Sequence, residues 1–229
     1  MTLNEIAYNL LNLIRGGKSH HHEDISLEQI KFNIRYYRAM LIRRDYAKNG
    51  NITRHLEQDL GCLNLEIVNG SKCCGLEIDC EVARTVLTIP KTVRFNFEDA
   101  ITFVGAGDGL TRIPLISPQI AKFAQYEKYT SQNQKAYMIE DYLYIMNPKG
   151  LEFVNVRGVF ENPEDVAKYE CPSGICYDSN SEYPIPMDMV EALTKGVLGG
   201  ELQLLVQTIN DSENNAVQDE QAAPRQSRE

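Results

Sequence analysis

Tyr142-Leu-Tyr-Ile-Met146, Asn147-Pro-Lys-Gly150 and Leu151-Glu-Phe-Val-Asn-Val156 follow one another without a break. The two outer runs are rich in aromatic and β-branched residues, and Asn, Pro and Gly between them are the residues that set a tight turn. The stretch therefore predicts a β-hairpin. Outward from it, apolar residues alternate with charged ones at Leu76, Ile78, Cys80 and Val82. They alternate again at Val93, Phe95 and Phe97, before Ile101-Thr-Phe-Val104. Such alternation is the signature of half-solvated strands. Residues 63–165 read as a β-rich insertion, interrupted by a helix expected from Pro118 to about Tyr129.

The flanks carry a different period. Thr2 and Glu5 have capping-box spacing, and Leu3, Ile6, Leu10, Leu11 and Ile14 then mark one face of a helix that Gly16-Gly17 should stop. Ser26 and Gln29 form a second such pair, with Ile25 and Ile30 spaced as a hydrophobic staple. Leu27, Ile30, Ile34, Tyr37 and Leu41 step along a narrow seam suited to packing on another helix. A third, short helix is expected from about Ile52 to Leu60, ending at Gly61. Pro163-Glu-Asp opens a further helical turn, and a loop rich in Pro, Ser and Gly runs from Cys171 to Pro186. The last helix follows Pro186 and reaches Ile209; Gly196, Gly199 and Gly200 inside it predict a kink or a close helix contact.

The expected class is α+β, a helical body from N- and C-terminal helices with a β-rich insertion. Its expected parts are residues 1–62, the insertion 63–165, residues 166–209 completing the body, and a disordered tail at 210–229 whose one sizeable apolar residue is Val217.

Composition narrows the function. The chain has 229 residues, 43% of them hydrophobic and 24% charged, values ordinary for a globular protein. A net charge of −9 argues against a nucleic-acid clamp, which gains affinity by neutralising phosphates with Lys and Arg. The opening Met1-Thr-Leu-Asn-Glu lacks the basic-then-apolar pattern of a secretory signal, so folding in a cytoplasm is expected. Cys62, Cys73, Cys74, Cys80, Cys171 and Cys176 lack zinc-site spacing and are read as free, partly buried thiols in preference to a zinc site or a disulfide.

No motif reaches the standard of an active site. Gly105-Ala-Gly-Asp-Gly109 has the glycines of a phosphate loop, but Pro114 and Pro118 break the helix such a loop requires. A glycine-rich hairpin tip is the better reading. His20, His21 and His22 are three neighbours on a loop, which do not fix a tetrahedral metal site without partners. His55 stands alone near Glu57 and Asp59. Neither catalytic residues, nor a cofactor, nor a metal site is expected. The second helix is the exception in charge: Lys31, Arg35, Arg38, Arg43, Arg44 and Lys48 face the one acid Asp45. Lys31, Arg35 and Arg38 share one side of it, either as a solvated face or as a docking strip for an acidic partner or a neighbouring subunit.

Several patches carry a resemblance. Gln58-Asp-Leu-Gly-Cys-Leu-Asn-Leu-Glu-Ile-Val68, Ser71-Lys-Cys-Cys74, Cys80-Glu-Val-Ala-Arg-Thr85 and Ile89-Pro90 resemble a family of structural proteins of crAss-like bacteriophages. Met1-Thr-Leu-Asn-Glu-Ile-Ala-Tyr8 and Tyr144-Ile-Met-Asn-Pro148 are similar to theirs too. These are ring, or head-to-tail adaptor, proteins of short-tailed phages. The resemblance implies a homo-oligomeric ring, typically a dodecamer, stacked between the portal protein and the next tail component, with genomic DNA passing through without sequence-specific binding. It implies a virion protein assembled in the bacterial host, with no membrane and no enzymatic role. The rival from another class is a small-ligand or carbohydrate-binding β domain with helical flanks.

Overall fold

Ser26 accepts the N–H of Gln29 on its hydroxyl at 3.2 Å, the N-terminal half of the expected capping box. That cap starts the longest helix of the computed structural model, which describes residues 1–14, 25–68, 82–95, 98–124, 126–171, 174–178 and 180–200. His20–His22, Cys73, Cys74, Cys80, the strand expected at 76–80 and the tail at 210–229 lie outside the described residues.

The chain divides into two units. The first holds Leu3–Leu41 and the chain from Met187; the second holds Ile42–Pro186. The strand-rich unit therefore begins before residue 63 and ends after 165. In the first unit, α1 (Leu3–Ile14) buries Leu3, Ile6, Ala7, Leu10 and Leu11, the apolar face read from the sequence. Helix α2 (Leu27–Asn49) buries Ile30, Asn33, Ile34 and Arg38 in this unit. Helix α4 (Met187–Gly199) starts right after Pro186 and buries Leu193 and Val197. Of the kink or close helix contact expected there, Gly196 makes the contact, whereas Gly199 has open space beside it. A β-carbon on Gly196 would stand 2.9 Å from Cδ1 of Tyr37 on α2.

The second unit is built on a six-stranded antiparallel sheet in the order β5-β8-β1-β2-β7-β6. The strands are β1 (Gln58–Val68), β2 (Val82–Thr85), β5 (Ile101–Ala106), β6 (Lys135–Ile139), β7 (Tyr142–Met146) and β8 (Phe153–Gly158). Successive side chains point to opposite faces of a strand. Leu143 and Ile145 accordingly join Leu63, Val154, Val156 and Phe160 in one core. Tyr144 and Met146 join Val82 and Tyr137 on the other face, where α3 (Pro118–Ala124) covers them with Ala121 and Ala124. Two short hairpins complete the unit: β3 (Arg94–Phe95) with β4 (Glu98–Asp99), and β9 (Glu170–Cys171) with β10 (Gly174–Ile175). Asn162 caps the expected turn at Pro163–Lys168, a 3-10 helix, through Glu164 N at 3.3 Å.

The helix expected from Pro118 to about Tyr129 ends at Ala124, and three further expectations about the strand-rich unit need correction. The helix expected at 52–60 is only a 3-10 turn, Arg54–Leu56, and β1 starts at Gln58. Gly61 does take a left-handed conformation, φ 68°, but at a bulge in β1 between Asp59 and Cys62. Helix ends and bulges both favour left-handed glycine, so the residue misled about the element. Asp59 fixes the bulge by accepting Gly61 N at 2.8 Å and Asn155 Nδ2 at 3.0 Å.

The hairpin expected over 142–156 has its two strands but not their pairing. β7 pairs with β2 and β6, β8 pairs with β1 and β5, so two strands lie between them. Asn147, Lys149 and Gly150 all have positive φ, and the turn leads the chain away instead of back. The hairpin partner of β7 is β6, through Glu140 (φ 52°) and Asp141 (φ 63°), with Ile139 opposite Tyr142. Two left-handed residues in a two-residue loop make a type I′ turn, whose twist matches the strands.

Third, Cys171 and Cys176 are not free thiols. They form a disulfide across a Cα–Cα distance of 4.9 Å, closing the β9–β10 hairpin. Cys62 is free and exposed. C-x4-C is too wide for a compact chelate but suits a tight hairpin, whose opposed strands bring Cα atoms within disulfide reach.

Candidate assembly surface

The glycine-rich tip is a hairpin end. Ala106 N donates to Thr111 O at 3.0 Å and Ile113 N to Val104 O at 2.8 Å, folding the chain back on β5. The Asp108 carboxylate takes Thr111 N at 3.0 Å, Leu110 N at 2.9 Å and the Thr111 hydroxyl at 2.8 Å. Those bonds, the Thr111 amide first, hold its carboxyl below the usual range. Backbone donors that a phosphate would need are thus already taken by a carboxylate, which would also repel it.

The basic strip is brought together only in part. Lys31 is half-buried and pairs with Glu28 at 3.3 Å. Arg35 Nε donates to the Lys31 carbonyl at 3.3 Å, one turn back. Arg38, however, is fully buried. It follows Ile34 by four residues and precedes Ile42 by four, so it stands in the buried line itself and not beside it. The expected strip of three accessible cations is corrected to Lys31 and Arg35. A buried guanidinium has to be balanced inside the protein and is out of reach of a docking partner.

What lies outward on α2 is apolar. Phe32, Tyr36 and Met40, spaced by four, are 63%, 54% and 46% exposed. The seam expected at Leu27, Ile30, Ile34, Tyr37 and Leu41 is thus one of two on this helix, and the spacing of Phe32, Tyr36 and Met40 is the signal for the second. In the strand-rich unit, Ile120, Phe123, Tyr126 and Tyr129 are exposed as well. Exposed apolar patches of this density mark interaction surfaces.

Polar features are less organised. A cleft of about 550 Å³ is lined by Lys91, Arg94, Asp99, Glu140, Asp141 and Glu161, among others. Its mixed charge differs from the mainly apolar lining of ligand pockets. Among the described residues no group of His, Cys, Asp or Glu is placed to hold a metal ion.

Comparison with known families settles the class. Residues 5–220 match the family model described as phage tail ring protein 2. The chain belongs to this crAss-like phage family. No curated protein matches it. As a tail ring protein it is a structural component of the virion tail that assembles into an oligomeric ring. The match runs well past residue 165 and so includes α4 as well as the sheet. No described helix is long and apolar enough to cross a membrane.

Proposed function

We propose that this tail ring protein is a portal-proximal adaptor: a closed, dodecameric ring joining the capsid portal to the next tail component and lining part of the DNA conduit. The family match carries the reading. The charge supports the conduit role. With −9 per chain, a ring multiplies an acidic potential around its bore, and like charge keeps the phosphate backbone from sticking as it slides. Closure of such a ring uses two different patches on each subunit, repeated until the rotation completes. Lys31 and Arg35 are proposed to contribute at the rim of one of them, against an acidic neighbour. Assembly in the host cytoplasm and a passive part in DNA ejection follow from the same placement.

The test is co-expression with the portal protein, purification and particle imaging. The expected result is a ring in register with the portal and sharing its copy number. Rings that form on a different tail component, with none on the portal, would refute the portal-proximal placement.

A further inference from the structure

Helix α3 is built inside out. Its buried positions are Ala121 and Ala124, 0% and 1% exposed, while Ile120 and Phe123 are 54% and 66% exposed. The chain beyond it continues the pattern with Tyr126 at 77% and Tyr129 at 85%. A helix that served only its own sheet would turn the large residues inward. The segment is also held in place. Lys135 and Thr130 both donate to the Glu127 carboxylate, and Asn147 Nδ2 donates to Ser131 O at 2.7 Å. Ser117 caps the helix start, accepting Ile120 N on its hydroxyl at 3.4 Å. Rings presented this way lose little freedom on contact, which is what interface anchors require.

We infer that Ile120–Tyr129 is the face by which one copy of this chain grips the next copy in the ring. The inference rests on ring membership and not on the portal-proximal placement. Size supports it: an aromatic side chain buries roughly 150–250 Å², so covering Phe123, Tyr126 and Tyr129 removes on the order of 500 Å² from water, before Ile120 is added. That is more than half of the ~800 Å² one partner gives to a standard interface. Charge selects the partner. Lys122 and Lys128 flank the rings, with Lys128 Nζ 5.2 Å from the Tyr129 ring centre, in a chain whose net charge is −9. A cationic, aromatic face fits the acid-rich surface of another copy. Cations among aromatics also suit unstacked bases, but duplex DNA offers none. Because a closed ring is heterologous, the acceptor surface lies elsewhere on the chain.

A photo-crosslinking phenylalanine analogue in place of Tyr126, and separately of Tyr129, in full-length protein within assembled tails tests this. The expected adduct joins two copies of the chain, with the captured peptide outside residues 115–131. Adducts to another tail protein or to DNA, or no adduct at all, would overturn the inference. A paired variant, Phe123→Ser with Tyr126→Ser, should keep its circular dichroism and lose incorporation into tails at least tenfold. Folded variant that incorporates like the parent also overturns it, and if the variant misfolds the crosslink decides. Rings crosslinked through this face but seated away from the portal would leave the inference standing and remove the portal-proximal placement.

Discussion

Tyr37 of α2 fills the space that side chains at Gly196 and Gly200 of the α4 region would occupy. The aromatic ring stands 2.9 Å from where a Gly196 β-carbon would sit, and the Tyr37 hydroxyl occupies the corresponding place at Gly200. Gly199 between them has open space. Interior glycine costs a helix about 1 kcal/mol against Ala. Helix α4 accepts that cost at Gly196 because a tyrosine packs there.

The contrast is testable by thermal unfolding. Gly196→Ala gains helix propensity but forces the Tyr37 ring to move, and overpacking costs about 1–3 kcal/mol, so a net loss is expected. Gly199→Ala meets nothing and should stabilise by up to about 1 kcal/mol. Equal melting temperatures for the two variants would contradict the packing described.

Gly61 joins the bulge of β1 to the disulfide hairpin. Its φ is 68°, and the Glu170 carbonyl lies where a β-carbon would go. Gly61→Ala therefore combines a left-handed alanine, about 1–2 kcal/mol, with a backbone collision of a further ~1–3 kcal/mol. Opening the neighbouring Cys171–Cys176 bond should cost about 2 kcal/mol, the chain-entropy value for so short a loop. Denaturant titration of Gly61→Ala, and of Cys171→Ser with Cys176→Ser, measures both; the glycine variant should be the less stable.

The turn between β6 and β7 predicts a gain. Glu140 and Asp141 both adopt positive φ, where β-carbons are strained, and Asn-Gly is the preferred pair for a type I′ turn. Glu140→Asn with Asp141→Gly should raise stability by about 1 kcal/mol, read as a higher denaturant midpoint with unchanged slope.

That turn also explains where the sequence was readable and where it was not. Periodicity exposed α1, α2 and α4, because each buries a line of residues spaced by three and four. Runs of aromatic and β-branched residues exposed β5, β7 and β8. Pairing was hidden, since Asn147-Pro-Lys-Gly150 carries Asn, Pro and Gly while the true hairpin turn is Glu-Asp, without the Asn-Gly or Gly that marks a type I′ turn. β6 went unread behind it. The basic strip was half legible: the helical spacing of Lys31, Arg35 and Arg38 is real, but spacing shows which residues share a side, not whether that side faces water.

Acid should loosen the segment beneath the proposed copy-to-copy face. The hydrogen bond from Lys135, and then that from Thr130, holds the Glu127 carboxyl below the usual carboxylate range. A carboxyl depressed in the folded state stabilises above its unfolded pKa, and the contribution disappears as pH falls through the folded value. The stability gap between parent and Glu127→Gln should thus be present at neutral pH and close under acid. A gap that persists at pH 2 would show that the carboxylate charge is not its source.

Arg38 and Lys31 should part company under charge reversal. Both lie on the same side of α2, yet Arg38 is fully buried while Lys31 reaches solvent and Glu28. Arg38→Glu places an acid where the interior is arranged around a cation, and breaking a buried charge arrangement costs about 3–5 kcal/mol. That is a large part of the ~5–15 kcal/mol that holds a typical protein folded. The expected outcome is loss of the cooperative unfolding transition, or a large drop in its midpoint, with no need for a partner. Lys31→Glu removes one pair between a half-buried lysine and an exposed acid on the same helix, worth ~0–1 kcal/mol, so the monomer should melt nearly as the parent does. If Lys31 and Arg35 meet an acidic neighbour, Lys31→Glu with Arg35→Glu should instead weaken ring formation. Salt should partly restore it, because screening shortens the repulsion to about 8–10 Å near physiological ionic strength. Sedimentation at low and high salt, beside melting curves of the same samples, separates the two effects. A monomer that tolerates Arg38→Glu as well as Lys31→Glu would contradict the burial of Arg38.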